Sequence, residues 1–139
     1  MKTILIIDAQ GGGIGKQIVT QIRKELSDIH LIAVGSNSVA TNAMLKAGAD
    51  EAATGENSVI VASKRADIIV GPIGIAIADS MLGEITPAMA AAVGQSSAKK
   101  VLVPFSSCDN YVVGLEHTGT AALIQLAVAK TVSLVREAD

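Results

Sequence analysis

At 139 residues the chain fits one domain, and with half of its residues apolar and 17% charged it can bury a core of Ile, Val, Leu and Ala. One Tyr, one Phe and no Trp leave no platform for stacking bases. A net charge of -2 without any run of like charges gives no basic footprint for a duplex, so nucleic acid is not an expected partner.

The amino terminus resembles a secretory leader only briefly, because Asp8 closes the apolar run 4–7 too early, and this run reads as a first strand. Gly11, Gly12, Gly13, Ile14 and Gly15 follow it as a tight turn. Ile14, Ile18, Ile22 and Leu26 then recur every fourth residue with Lys16, Arg23, Lys24 and Glu25 on other faces, predicting a helix with one buried stripe. A second apolar run, 31–34, ends in Gly35, Ser36 and Asn37. The next helix is expected over 38–47, capped by Asn37 or Ser36 and stopped by Gly48.

A weaker strand at 51–53 leads through residues 54–57 into a helix ending near Arg65. The run 68–70 is a further strand, and Gly71, Pro72, Ile73 and Gly74 follow it. An irregular stretch with Gly83 and Pro87 precedes an alanine-rich helix at 88–93, a strand at 101–103 and a last helix over about 118–137. The richest apolar stretch, 68–78, falls short of the roughly 20 residues a membrane span needs. It also contains Gly71, Pro72 and Gly74. A single cysteine, Cys108, forms no intrachain disulfide and matches a reducing compartment. The expectation is a cytoplasmic protein with no membrane segment.

Strands that are continuously apolar need cover on both faces, and strictly alternating strands and helices build right-handed crossovers. The predicted fold is therefore α/β, a three-layer Rossmann-like doubly wound domain over 1–139 with a mainly parallel sheet of about five strands. Ligands of such sheets sit beyond the carboxyl ends of the strands. Those ends carry Asp8 and Gln10 with the glycine turn, then Gly35, Ser36 and Asn37, then Gly71, Pro72, Ile73 and Gly74, then residues 104–109.

The glycine turn is the one motif with chemistry of its own. Glycines admit positive φ and let N–H groups approach an anion, and the first helix adds its dipole. The bland reading is a tight strand-to-helix turn that binds nothing. Known patterns fail at particular positions. The fingerprint G-x-G-x-x-G would need glycine at Lys16, and the short-chain dehydrogenase turn would need it at Ala9. No acidic residue follows the second strand to hold a ribose, and no Tyr-x-x-x-Lys pair follows. The P-loop would need glycine at Gln10 and a hydroxyl at Gln17. A receiver domain would need aspartate at Gly71.

Asp8 could meet a ligand hydroxyl or a cation, or cap the turn's own N–H groups. Cys108 has no histidine convincingly placed beside it. His30 and His117 lack metal-ligand spacing, so no metal site is expected. Glu56 and Glu84 read as solitary loop carboxylates.

The combination 8–16, 33–38, 43–50 and 53–57, with 71–75 and 80–87, resembles a family of small uncharacterised bacterial proteins, a domain of unknown function. The resemblance runs from residue 1 to about 104 and is looser beyond. It implies a Rossmann-like domain and supplies no catalytic residues.

The first half of the last helix, residues 121–129, is apolar nearly all round, and 88–93 has a similar surplus, so a homodimer through these two helices is expected. The leading functional reading is a binder of a small phosphorylated or anionic ligand, with NAD(P) or another nucleotide suspected. In it Gly11–Gly15 hold the phosphate, Asp8 and Gln10 its edge, Ser36 and Asn37 a ribose, and Gly71–Gly74 form the opposite wall. The rival is a non-enzymatic oligomeric regulatory or scaffold protein whose glycine turn is only structural.

Overall fold

A computed structural model describes residues 1–104, 110–115 and 118–137. In chain order the elements are β1 (Lys2–Asp8), α1 (Gly13–Glu25), β2 (Ile29–Gly35), α2 (Ser38–Ala47), β3 (Glu51–Thr54), α3 (Glu56–Arg65), β4 (Ile68–Pro72), α4 (Pro87–Gln95), β5 (Lys99–Val103) and α5 (Thr120–Arg136). A short 3-10 turn, Ile73–Ala76, follows β4. The strands form one sheet in the order β3-β2-β1-β4-β5, every pair parallel. The chain winds outward from β1 to one edge and then returns to β4, so the order reverses between β1 and β4.

Two apolar clusters sandwich the sheet. Ile4, Ile6, Leu31 and Val70 pack under α1 and α5, against Ile18, Ile22, Ile124 and Val128. Leu5, Ile7, Val34 and Ile69 face the other way, against Val59 of α3 and Met89 and Val93 of α4. Neighbouring residues of one strand thus feed opposite layers, which is why the central strands carry no polar alternation. Among the described residues no helix is long and apolar enough to cross a membrane.

The first helix keeps the expected stripe, with Val19 joining Ile18 and Ile22 in the core. Asn37 caps α2 as expected, its side chain accepting from the Ala40 N–H at 3.0 Å. β5 begins two residues before its apolar run. Lys99 and Lys100 pair with Ile68 and Ile69 while remaining exposed.

Candidate functional site

The carboxyl ends of β1, β2 and β4 open on one side of the sheet, and the glycine turn leaves β1 there. Its glycines divide into two kinds. Gly12 has φ +73°, and a Cβ on it would stand 2.8 Å from the Ala40 Cα. Gly15 is closed off by the Met44 Sδ and the Asp8 side chain, at 2.6 and 2.9 Å from a Cβ. These two are glycine because the backbone and its neighbours require it. Gly11 and Gly13 meet nothing within 4 Å and have no left-handed φ, so neither packing nor conformation calls for glycine there.

Asp8 resolves one ambiguity of the sequence. It is 4% exposed, and its two oxygens accept from the Ala9 N–H at 2.8 Å and the Gly15 N–H at 2.7 Å. The carboxylate thus ties the strand end to the third residue of α1 and takes one of the helix's orphan donors. Burial pushes its carboxyl above the ordinary aspartate value, against the two N–H bonds, with the charge of Glu84 adding to the rise. Three N–H groups of the turn, those of Gly11, Gly13 and Ile14, have no hydrogen-bond partner among the described residues. Gly11 and Gly13 are exposed.

Gly35 lets the start of α2 press on the end of β2, for a Cβ there would lie 2.5 Å from the Thr41 N. The Thr41 hydroxyl bonds the Thr54 hydroxyl at 2.7 Å, joining α2 to the end of β3. Ser36 and Asn37 stand half-buried at the crevice. Gly71 and Pro72 are buried within β4. A Cβ at Gly71 would fall 2.3 Å from the Ile7 carbonyl oxygen, and one at Gly74 would fall 2.9 Å from the Met81 methyl. Glycine at 71 and 74 is therefore explained by strand and loop packing, and of this group Ile73 is the half-buried member.

Glu84 is the site residue that sequence reasoning missed. It lies in the loop between β4 and α4, where Asp79, Met81 and Leu82 all adopt left-handed φ of 55–62°. Its Oε1 accepts from the Gln10 N–H at 2.9 Å, the Ser36 hydroxyl at 2.6 Å and the Asn37 amide at 2.8 Å. Gln10 supplies that N–H from φ +52°, a strained setting for a non-glycine residue. Partial burial works to raise the Glu84 carboxyl, but the bonds from Ser36, Gln10 and Asn37 prevail and hold it below the usual carboxylate range. The same loop is anchored at its far end by Thr86, whose hydroxyl donates to Glu56 at 2.6 Å.

Other sequence candidates lie elsewhere. His30 sits at the opposite end of β2, bonded to Glu51. Lys16 is exposed on α1. Cys108 and His117 lie outside the described residues.

The strand order, with its reversal between β1 and β4 and a glycine turn at the start of α1, defines a Rossmann-like α/β domain. Within that class the chain belongs to the family described as a domain of unknown function, DUF3842, which matches residues 3–136. The match thus continues through α5, past the point near residue 104 where the sequence resemblance loosens. No curated protein matches the chain. Among solved structures it is similar to a dodecameric FMN-dependent UbiX-like decarboxylase from Escherichia coli O157:H7, at 15% identity, 98% coverage of this chain, 95% of that one and a TM-score of 0.52. It is also similar to AibC, at 22% identity and a TM-score of 0.48, covering 95% of this chain and 42% of that one. The likeness to the decarboxylase is one of fold alone.

Proposed function

We infer that the protein binds a phosphorylated ligand of nucleotide type in the crevice beyond β1, β2 and β4. The observation that carries this reading is the pair Gly11 and Gly13. They are glycine with no structural demand, beside three unpaired N–H groups at the positive end of a 13-residue helix. In this reading the phosphate lies on the Gly11, Gly13 and Ile14 N–H groups, with Gly12 and Gly15 shaping the turn and Asp8 bracing it. Gln10, Gly35, Ser36 and Asn37 border a sugar, and Gly71, Pro72, Ile73 and Gly74 back the far side. NAD, NADP and other nucleotides are the candidates, and the similar decarboxylase, described as FMN-dependent, adds FMN. No reaction is assigned.

The test is thermal unfolding of the full chain against NAD, NADP, FMN, ATP and GTP. A ligand at about a hundred times its Kd adds roughly 2.7 kcal/mol. No shift with any of them would overturn the reading.

One observation favours self-association alongside binding. Leu126 on α5 is 64% exposed, and Ala121, Ala122 and Ala129 of α5 and Ala88 and Ala91 of α4 are exposed with it. α4 and α5 lie on opposite layers of the sheet, so a homodimer through both would meet across the β5 edge to cover these faces. A monomeric mass by light scattering at micromolar concentration would remove this part of the proposal. The rival, a scaffold protein with a purely structural turn, predicts association without ligand binding.

A further inference from the structure

The two edges of the sheet are built differently. β5 begins with Lys99 and Lys100, both exposed, and charged side chains on an edge strand discourage a further strand from pairing with it. β3, at the other edge, pairs with β2 alone. Its residues Glu51–Thr54 include no Lys or Pro, and its register runs one for one, from Ile32 opposite Glu51 to Gly35 opposite Thr54, without a bulge. Its one charged side chain, Glu51, is already engaged by His30. The outer side of β3 therefore offers unguarded backbone N–H and C=O groups to another strand.

The face of the sheet beside this edge is incompletely covered as well. A groove of about 270 Å³ runs between α3 and the outer strands, lined by Ile32, Val34 and Ala53 on the sheet side and by Asn57, Val61 and Arg65 on the helix side. Ala53 is exposed, and Val61 is 47% exposed.

What fits this edge must bring an extended backbone, an apolar side chain opposite Val61, and no like charge opposite Glu51 or Arg65. A second copy of the chain meets all three requirements when turned about a two-fold axis. β3 then lies antiparallel to its counterpart, and Val61, at the middle of α3, faces Val61. Glu51 opens β3 and Arg65 closes α3, so both stand at one end of the groove, while Asn57 and Ser58 stand at the other. The two-fold sets the charged end of each copy against the uncharged end of the other and holds the two Glu51 about 10 Å apart along the strands. A parallel arrangement would stack Glu51 on Glu51 and Arg65 on Arg65.

We propose that β3 joins β3 of a second copy antiparallel, carrying the sheet across a two-fold axis and packing the two α3 helices together at Val61. A strand this short holds little by backbone bonds alone, and the α3 contact supplies the apolar part of the interface. The strands of the two copies run in opposite directions, so their carboxyl ends open on opposite sides and both crevices stay accessible. The interface lies at the edge away from β5 and is separate from the α4 and α5 faces.

Light scattering of the full chain at micromolar concentration, with charge variants at Val61, tests this interface. A residue that faces its own counterpart across a two-fold repels itself when charged. Val61→Lys and Val61→Glu should each halve the wild-type mass, weakening association by about tenfold or more. An equimolar mixture of the two should recover that mass, because Lys then faces Glu, a recovery that variants merely damaged in their fold would not show. Leu126→Lys, on α5, should leave this interface in place.

A wild type of monomeric mass overturns the proposal together with the α4 and α5 interface. Val61 variants that keep the wild-type mass overturn it alone, as does a mixture that stays dissociated. Loss of association in Leu126→Lys with no effect at Val61 assigns the contact to α5 and also overturns it. Should either Val61 variant fail to fold by circular dichroism, Ala53→Lys and Ala53→Glu, exposed on the strand itself, decide by the same comparison.

Discussion

Substituting the turn's glycines one at a time by alanine separates those the fold needs from those a ligand needs. Gly13 opens α1 with space around it. Alanine there removes backbone freedom from the unfolded chain and should stabilise the ligand-free protein by about 0.4–1 kcal/mol. For a chain of this size that raises Tm by roughly 1–4 °C. Gly12→Ala should do the opposite. Its left-handed φ alone costs about 1–2 kcal/mol, and its Cβ would press on the backbone of Ala40 at 2.8 Å. Gly15→Ala should also destabilise, since crowding of Asp8 and Met44 costs about 1–3 kcal/mol and outweighs a helix-propensity gain near 1. In the presence of a nucleotide identified by thermal shift, Gly13→Ala should lose about 1–3 kcal/mol of binding, roughly five- to 150-fold in Kd, because its methyl enters the phosphate's approach. Denaturant unfolding gives the first quantity and calorimetry the second. If Gly13→Ala destabilises like Gly12→Ala, the division of the glycines is wrong. If it stabilises and leaves ligand affinity unchanged, the turn is not the phosphate site.

Two further outcomes test the surrounding fold. The Ser63 hydroxyl is buried without a partner among the described residues, while the Ser63 carbonyl accepts from Ser96 at 2.7 Å independently of it, so Ser63→Ala should stabilise by about 1 kcal/mol in urea unfolding; a loss of stability would mean that the hydroxyl is satisfied in solution. Asp50 accepts from the Leu31 N–H at 2.8 Å and pairs with Arg23. The Leu31 bond foremost, opposed by desolvation and aided by Arg23, depresses its carboxyl pKa. A depressed folded pKa means stability that is present above the unfolded value and lost as pH falls through the folded one. The stability deficit of Asp50→Asn relative to wild type should therefore shrink on acidification from about pH 5 to about pH 3. A deficit constant over that range would deny the linkage, and because the side chain is 42% exposed the effect should be small.

The layers of the fold were legible because apolar runs and fourfold repeats are local signals. Residues 4–7, 31–34 and 68–70 mark strands without alternation, and Asn37 and Gly48 bound α2 by their own conformational preferences. Edges were less legible. Lys99 and Lys100 belong to β5 by backbone pairing, while their side chains face solvent, so hydrophobicity could not extend the strand to them. Within the turn, five adjacent positions carry four glycines with different reasons. Gly12 and Gly15 answer to α2 and Asp8, neighbours that only the folded chain supplies. Glu84 was invisible for the same cause, since it bonds Gln10 from 74 residues away and Asn37 from 47. A solitary loop glutamate has no periodicity and no motif to betray its role.

The arrangement also explains how the crevice keeps its shape without a ligand. A bare helix start leaves its first N–H groups unpaired, and a mouth formed by several loop ends would ordinarily pay for order with conformational entropy. Here two carboxylates provide the order. Asp8 closes β1 onto α1 by two short bonds. Glu84 draws the loop before α4 onto the ends of β1 and β2, while Thr86 fastens that loop to the start of α3 through Glu56. The bracing has an electrostatic consequence, because Glu84 opposes an anion placed close to Gln10, and the Asp8 carboxylate lies on the Gly15 N–H. The glycine turn thus lies between two carboxylates, each held by N–H groups of the chain's own backbone.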